Sequence, residues 1–175
     1  DFIDVYDETG YRTSQTDKVS SVMNSYIYSA VNQLNEVQED RVCNSTYSND
    51  DIGRRIAKTV GAGATAYISD VGDPLDITTH DRLMEFENGA LKRRWLHGQR
   101  IDEPVAFEAY ATGTTPGAGT NYAMHADSQG SIIAVTDQAT GTVVARYKYD
   151  AFGQREVASA SVDQDWGFTG REVDD

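Results

Sequence analysis

Cysteine occurs once in 175 residues, at Cys43, so the chain can form no internal disulfide and no multi-cysteine metal site. Only three prolines are present, which leaves few rigid breaks. Cations are scarce: Lys and Arg total 15 against 28 Asp and Glu, for a formal net charge of -13. That balance argues against a phosphate-backbone binder, which needs clustered cations to displace counterions. It argues equally against docking on an anionic membrane surface. No apolar run approaches the roughly 18 residues of a spanning helix, and no secretory leader is visible. The first residue is Asp1 and not Met, which reads as a processing boundary.

The residues that are abundant point to strands and turns. A chain this long can bury close to 70% of its unfolded surface without staples. Tyrosine outnumbers phenylalanine 10 to 5, which suits surfaces that are half packed and half wet. The spacing Asp-x-x-Gly appears at Asp7–Gly10, Asp50–Gly53, Asp127–Gly130 and Asp150–Gly153. Three copies carry Arg within two residues of the glycine (Arg12, Arg54 with Arg55, and Arg155), and tyrosine precedes the same three. The physical reading is a hairpin. The Asp carboxylate is expected to accept backbone N–H groups two or three residues on, and the glycine supplies the positive φ that closes the loop. Tyr147 and Tyr149, two apart, share one strand face.

Asn88-Gly89 predicts a hairpin between strands at 82–86 and 90–96, although Leu83 is out of phase with Met84 and Phe86. Asp137 to Gly141 separates strands at 131–136 and 142–147, and residues 121–160 read as an antiparallel meander. One segment conflicts. Val19, Val22, Met23, Tyr26, Ala30, Leu34 and Val37 follow helical spacing, while Tyr26-Ile27-Tyr28 and the β-rich flanks favour strand–turn–strand. Thr112 to Thr120 reads as a flexible loop, an insertion and not a domain boundary.

These residues resemble a known family. Ala145-Arg146-Tyr147-Lys148-Tyr149-Asp150-Ala151-Phe152-Gly153 is similar to the signature unit of tyrosine–aspartate (YD) repeat proteins. That family includes bacterial Rhs proteins, wall-associated proteins, the C components of insecticidal toxin complexes and the teneurins. His125-Ala126-Asp127-Ser128-Gln129-Gly130-Ser131 and Arg93-Arg94-Trp95-Leu96-His97-Gly98, with Asp102-Glu103-Pro104 after it, resemble stretches of the Rhs core. Gly167-Phe168-Thr169-Gly170-Arg171-Glu172 resembles the start of its closing motif. The resemblance runs the length of the chain, looser over 1–89 and closer over 90–175. Asn49 stands where a second tyrosine is expected, and Asp70-Val71-Gly72-Asp73 is one residue short of the usual turn.

The resemblance implies an all-β fold of antiparallel hairpins, a β-ribbon that forms part of a spiral shell. It implies a non-catalytic wall segment that encloses and delivers a C-terminal polymorphic toxin. Its partners would be the remainder of the shell, the enclosed toxin, and secretion-apparatus proteins or surface glycans. The location would be secreted or at a bacterial cell surface. In the family the chain would continue past Asp175 to an aspartic self-cleavage site and a variable toxin. A carbohydrate-binding adhesion module is the alternative, and part of a self-cleaving aspartic protease region a more distant one. An open ribbon edge would invite pairing, so the chain is expected to belong to a longer shell or to pack against other chains.

No catalytic, cofactor or metal residue is singled out. His80 beside Asp81, with Asp73 and Asp76, makes a cation site conceivable, but solvated carboxylates fit the spacing better. His97 and His125 are expected to hydrogen-bond to backbone, and Cys43 to be a lone, partly buried thiol. Asp163, Asp165, Asp174 and Asp175 suggest paired-carboxylate chemistry less than an acidic, solvated terminus. Lys92-Arg93-Arg94 is no basic patch, because strand alternation turns Arg93 away from its neighbours. Asn44-Ser45-Thr46 is a formal glycosylation acceptor.

Overall fold

The computed structural model describes residues 1–70, 81–100, 103–111 and 117–173. It is all-β, as the turn chemistry predicted. Among the described residues, fourteen strands make one antiparallel sheet in which strand order is chain order. They are β1 (Phe2–Tyr6), β2 (Arg12–Asp17), β3 (Met23–Tyr28), β4 (Leu34–Glu39), β5 (Val42–Asn49), β6 (Arg55–Val60), β7 (Gly63–Ser69), β8 (Arg82–Glu87), β9 (Ala90–His97), β10 (Pro104–Ala109), β11 (Thr120–Ala126), β12 (Ile132–Asp137), β13 (Val143–Tyr149) and β14 (Arg155–Ala160). The contested stretch over 19–38 is a hairpin, β3 paired with β4 through Tyr26↔Val37 and Ile27↔Glu36. Its helical spacing is incidental, because β-branched and tyrosine side chains pack well on a pleated sheet.

The four Asp-x-x-Gly copies fold alike. In each, Asp Oδ1 accepts two backbone N–H groups: Thr9 and Tyr11 for Asp7, Ile52 and Arg54 for Asp50, Gln129 and Ser131 for Asp127, Phe152 and Gln154 for Asp150. The partners lie two and four residues on, which corrects the expected two or three. The glycine N–H then donates to the aspartate carbonyl at 3.0–3.2 Å, and its φ lies between 87° and 90°.

A fifth turn of this design was hidden in the sequence. Ser29 Oγ accepts from Val31 and Gln33, and Asn32 takes the glycine's place with φ 62. A hydroxyl serves as the acceptor and asparagine tolerates the left-handed backbone, so the geometry survives without either signature residue. With Ser29 included, the turns recur roughly every 22 residues over 7–50, and again from 127 to 150, the mark of a repeat unit. Asn88 (φ 50) and Gly89 (φ 81) make the two-residue turn that the dipeptide announced.

The glycines are not equally demanding. At Gly10 (φ 90) an added Cβ would meet open space, whereas at Gly153 (φ 87) it would stand 2.8 Å from Phe168 Cδ1. Gly10→Ala should therefore cost about 1 kcal/mol, the left-handed backbone alone. Gly153→Ala should cost more and also displace Phe168. Thermal melts of the two variants check this ordering.

The chain divides into two compact units, residues 1–67 with 87–89, and 68–86 with 90–175. In the first, Ser45, at 8% exposure, is the one buried residue among those described. Cation–π stacks take the place of a core there: Arg12 lies over Tyr26 at 4.7 Å and Arg55 over Tyr47 at 4.6 Å. This unit has the half-packed, half-wet surfaces that its tyrosines suggest. The second unit departs from it. Trp95, Phe107, Met124, Ile132, Val135, Ala145, Tyr147 and Trp166 form a dry cluster. Cross-strand neighbours line it up, Trp95↔Phe107↔Tyr122 and Met124↔Val135↔Ala145, with ring centroids 5.0 Å apart along the first row. One face of this stretch of sheet is packed because the chain after β14 turns back and covers it.

Candidate functional site

The covering segment, residues 162–173, is where sequence reading found no structure and where the chain concentrates its polar chemistry. It is closed on itself by local bonds. Gln164, 1% exposed, donates from Nε2 to Trp166 O and accepts from Trp166 N. Gly167 N donates to Arg171 O at 2.8 Å, and Val173 N to Asp165 O at 2.7 Å. The loop is then pinned to the sheet: Ile132 N donates to Gly167 O at 3.1 Å, and Thr169 N to Ser131 Oγ at 3.0 Å. Thr169 has φ 52, a strained setting for a β-branched residue. It is held there by the bonds on either side. Trp166 seats edge-on against Trp95, centroids 5.7 Å apart, and against His97 at 5.2 Å.

Beneath the loop lie two buried arginines, each 5% exposed. Arg82 reaches Asp165 at 2.8 Å and also pairs with Glu172. Arg93 reaches Glu85 at 2.8 Å, Asp163 at 2.9 Å and Asp165 at 3.2 Å. Burial works against the charge on Arg93, but Asp165 and Glu85 outweigh it and hold its pKa above the ordinary value. Glu85 titrates above its ordinary value because it is buried, and the Asp165 carboxylate pushes it further in that direction.

A second carboxylate anchors the return loop before β11. Glu108, 4% exposed, accepts from the Tyr110 hydroxyl, from Gly119 N at 2.8 Å and from Arg94 at 3.1 Å. The hydrogen bond from Tyr110 is the main reason that its pKa lies below the ordinary value. Tyr149 donates to Ile132 O at 2.7 Å, and burial pushes its pKa up to about 12, so it stays a donor at any working pH.

The structure sorts the residues singled out from sequence. Asp163 and Asp165 are corrected: they are ligands of buried guanidiniums and not a free acidic tail, although the Asp163 carboxylate remains 81% exposed. His97 does bond to backbone, its Nε2 lying 2.9 Å from Arg82 O. His125 bonds instead to the Thr136 hydroxyl at 2.9 Å. Cys43 is exposed and not partly buried. Local desolvation first, and the Glu36 carboxylate beside it, raise the thiol's pKa and disfavour the nucleophilic thiolate. Arg93 points away from Lys92 and Arg94, as alternation required. Asn44 is exposed on β5. Asp81 lies 3.6 Å from His97. Asp73, Asp76, His80, Asp174, Asp175 and most of the expected loop at 112–120 lie outside the described residues.

Sequence reasoning missed Arg82, Glu85 and Glu108. The one signal for the first two was the broken alternation of β8, whose buried positions are Arg82 and Glu85; Glu108, on β10, gave none.

No family model matches the chain. It is 30% identical over 159 residues to the tRNA nuclease WapA of Bacillus subtilis strain 168, a match covering 89% of this chain and 6% of that protein. It is 29% identical over 160 residues to the tRNA3(Ser)-specific nuclease WapA of Bacillus spizizenii, with the same coverage. The chain thus spans a small fraction of the curated relatives it matches. Among solved structures, a chain of the Photorhabdus luminescens Tc holotoxin pore aligns over 90% of this chain and 9% of its own length, with 14% identity and a TM-score of 0.51. The antiparallel ribbon is similar in fold to that segment of the holotoxin chain. That agrees with the YD-repeat reading at the level of fold. Among the described residues, no helix is long and apolar enough to cross a membrane.

Proposed function

We propose that this chain is a wall segment of a YD-repeat shell of the Rhs type, a non-catalytic length of β-ribbon that helps to enclose and deliver a toxin. The observation that carries the reading is the repeated turn: one side-chain-anchored geometry, built on Asp in four places and on Ser29 in a fifth, joins described strands that pair with their chain neighbours. A ladder of that kind is extended by adding repeats and has no intrinsic end. Its terminal strands support the same reading. All five residues of β1 are exposed, and so are five of the six in β14. Phe2, Ile3, Val5 and Tyr6 are each half exposed or more. Exposed apolar strands of this kind are pairing surfaces, which suits a wall that packs against other strands.

The arrangement also supports the non-catalytic reading. The described carboxylates of residues 163–172 are engaged by Arg82 and Arg93, an arrangement that suits a structural role. The test is a graft. This chain would replace the matching segment of the Bacillus subtilis WapA named above, and the chimaera would be compared with a deletion of that segment. The chimaera is expected to keep tRNA nuclease activity and to resist limited proteolysis as the parent does, while the deletion is degraded. A deletion as protease-resistant as the parent would defeat the shell reading. Cleavage of tRNA or peptide by the purified chain, surviving repurification, would defeat the non-catalytic one.

A further inference from the structure

Strands that enter an anchored turn and strands that leave one play different parts in this sheet. β2, β4, β6, β12 and β14 leave the turns at Asp7, Ser29, Asp50, Asp127 and Asp150. The first four are each paired on the far side by the next strand of the chain: β2 by β3, β4 by β5, β6 by β7 and β12 by β13. Every one of those incoming strands carries tyrosine: Tyr26 and Tyr28 on β3, Tyr47 on β5, Tyr67 on β7, Tyr147 and Tyr149 on β13. Among the described residues, β14 has β13 as its one strand neighbour and stands at the edge of the sheet. The chain beyond it leaves the ladder to cover the packed face.

A cleft of about 320 Å³ lies beside this edge. Tyr147, Val157, Ala160 and Val162 give it apolar walls, and Arg155 and Asp163 stand at its charged side. Val157 is 51% exposed. Arg155 lies over the Tyr147 ring at 5.3 Å, as Arg12 on β2 lies over Tyr26 of incoming β3 at 4.7 Å. When a strand is added to a sheet, main-chain bonds supply the affinity and a pocket beside the edge selects the side chain. The cleft beside β14 has room for an aromatic ring.

The chain itself carries a strand of the complementary kind. β1 enters an anchored turn, as β3, β5 and β13 do, and Tyr6 stands before Asp7 as Tyr149 stands before Asp150. Among the described residues, β1 has β2 on one side and no strand on the other. Phe2 and Tyr6 are four apart and so share a strand face; they are 53% and 57% exposed. By its place before the turn, that face corresponds to the one that Tyr149 turns to the packed cluster. β1 is thus an incoming strand with nothing to pair against, and β14 an outgoing strand that nothing follows.

We propose that β14 is the acceptor edge for β1 of a second copy of this chain, joining copies head to tail, with the aromatic face of β1 closing the cleft beside Tyr147. The contact continues the ladder from β14 as β13 continues it from β12. Donor and acceptor lie on different strands, so the contact does not close on itself and gives linear chains instead of a symmetric dimer. Strands of five and six residues make a small, weak interface. The formal charge of -13 on each copy opposes it until salt screens the repulsion. The inference extends the wall reading by naming what the exposed edges bind. A chain that never associates would sink it and leave the graft result standing.

The test is sedimentation equilibrium of the whole chain from about 10 μM to about 1 mM in about 0.3 M salt. The weight-average mass is expected to rise by about 1.5-fold or more over that range. Val157→Lys charges the acceptor edge, and Phe2→Lys with Val5→Lys charges both faces of the donor, so each variant alone should keep the mass of a single chain. Mixed in equal amounts, the two should form a dimer and nothing longer, because one keeps its donor and the other its acceptor. The three positions are each about half exposed, so the variants should melt as the parent does. If they do not fold, amide exchange of the unaltered chain decides: the β14 amides should be about threefold or more better protected at the high concentration than at the low one, and the Val135 amide unchanged. A constant mass with unchanged β14 protection would overturn the proposal. So would a folded variant that associates like the parent, which would place the contact on another surface, or a mixture of folded variants that stays monomeric.

Discussion

Arg93→Ala is expected to destabilise the unit that contains it by about 3–5 kcal/mol, because it strands carboxylates that the fold has taken out of water. Arg93 is 5% exposed and serves three carboxylates at once, so no neighbour can substitute for it. Asp165 keeps Arg82 and Asp163 keeps solvent, which leaves Glu85 as the group that suffers most. Glu85 is already pushed toward protonation with the arginine present. In its absence the residue should go fully neutral or open the strand. For a chain of this length the loss corresponds to a fall in melting temperature on the order of 10 °C.

The size of the effect does not mean that the pair is a large net source of stability. Desolvating two charges offsets most of their attraction, so Arg93→Met combined with Glu85→Leu should recover most of what the single change loses. A double-mutant cycle by denaturant unfolding, followed through Trp95 and Trp166, gives the coupling directly. A double variant no more stable than Arg93→Met alone would show that the arginine acts through Asp165 and the loop instead of through Glu85.

This network also marks the limit of what the sequence could disclose. The turns were legible because each is local. Asp150 and Gly153 fix a hairpin through bonds spanning four residues, and the same rule held at Asp7, Asp50 and Asp127. The four strands bounded by Asn88-Gly89 and by Asp137–Gly141 were read within two residues of β8, β9, β12 and β13 at each end. The Ser29–Asn32 turn escaped because its chemistry was kept while its residue types changed.

The site was not legible for a different reason. Arg82 meets Asp165 across 83 positions and Arg93 meets Asp163 across 70, and no periodicity links residues that far apart. An aspartate near a chain end has a strong prior of being solvated, and Asp163 and Asp165 were read that way. What overrides that prior is the backbone of residues 164–167. By folding back on Ile132 and Ser131 it places both carboxylates over arginines that the strand pattern had turned inward.

Ile132→Ala and Ile133→Ala, neighbours in one apolar run, should differ several-fold in cost. Ile132 is 0% exposed and belongs to the cluster with Trp95, Trp166 and Tyr147. Ile133 is 41% exposed on the opposite face. Truncating the first removes buried methyl and methylene groups and leaves a cavity that a sheet pinned on both sides cannot close, at about 2–5 kcal/mol. Truncating the second removes half-wet surface and some strand preference, at less than about 1 kcal/mol.

The two residues also differ in what hangs on them. The Ile132 N–H donates to Gly167 O, and its carbonyl accepts from Tyr149. A shift of this strand toward the cavity is therefore passed to the covering loop and to β13. The exchange protection of Ile132 N–H should fall in Ile132→Ala and hold at the corresponding amide in Ile133→Ala, with tryptophan emission moving to the red only in the first. Similar costs for the two variants would mean that residues 162–173 do not cover this face in solution. The dry cluster and the buried arginines would then both lose their basis.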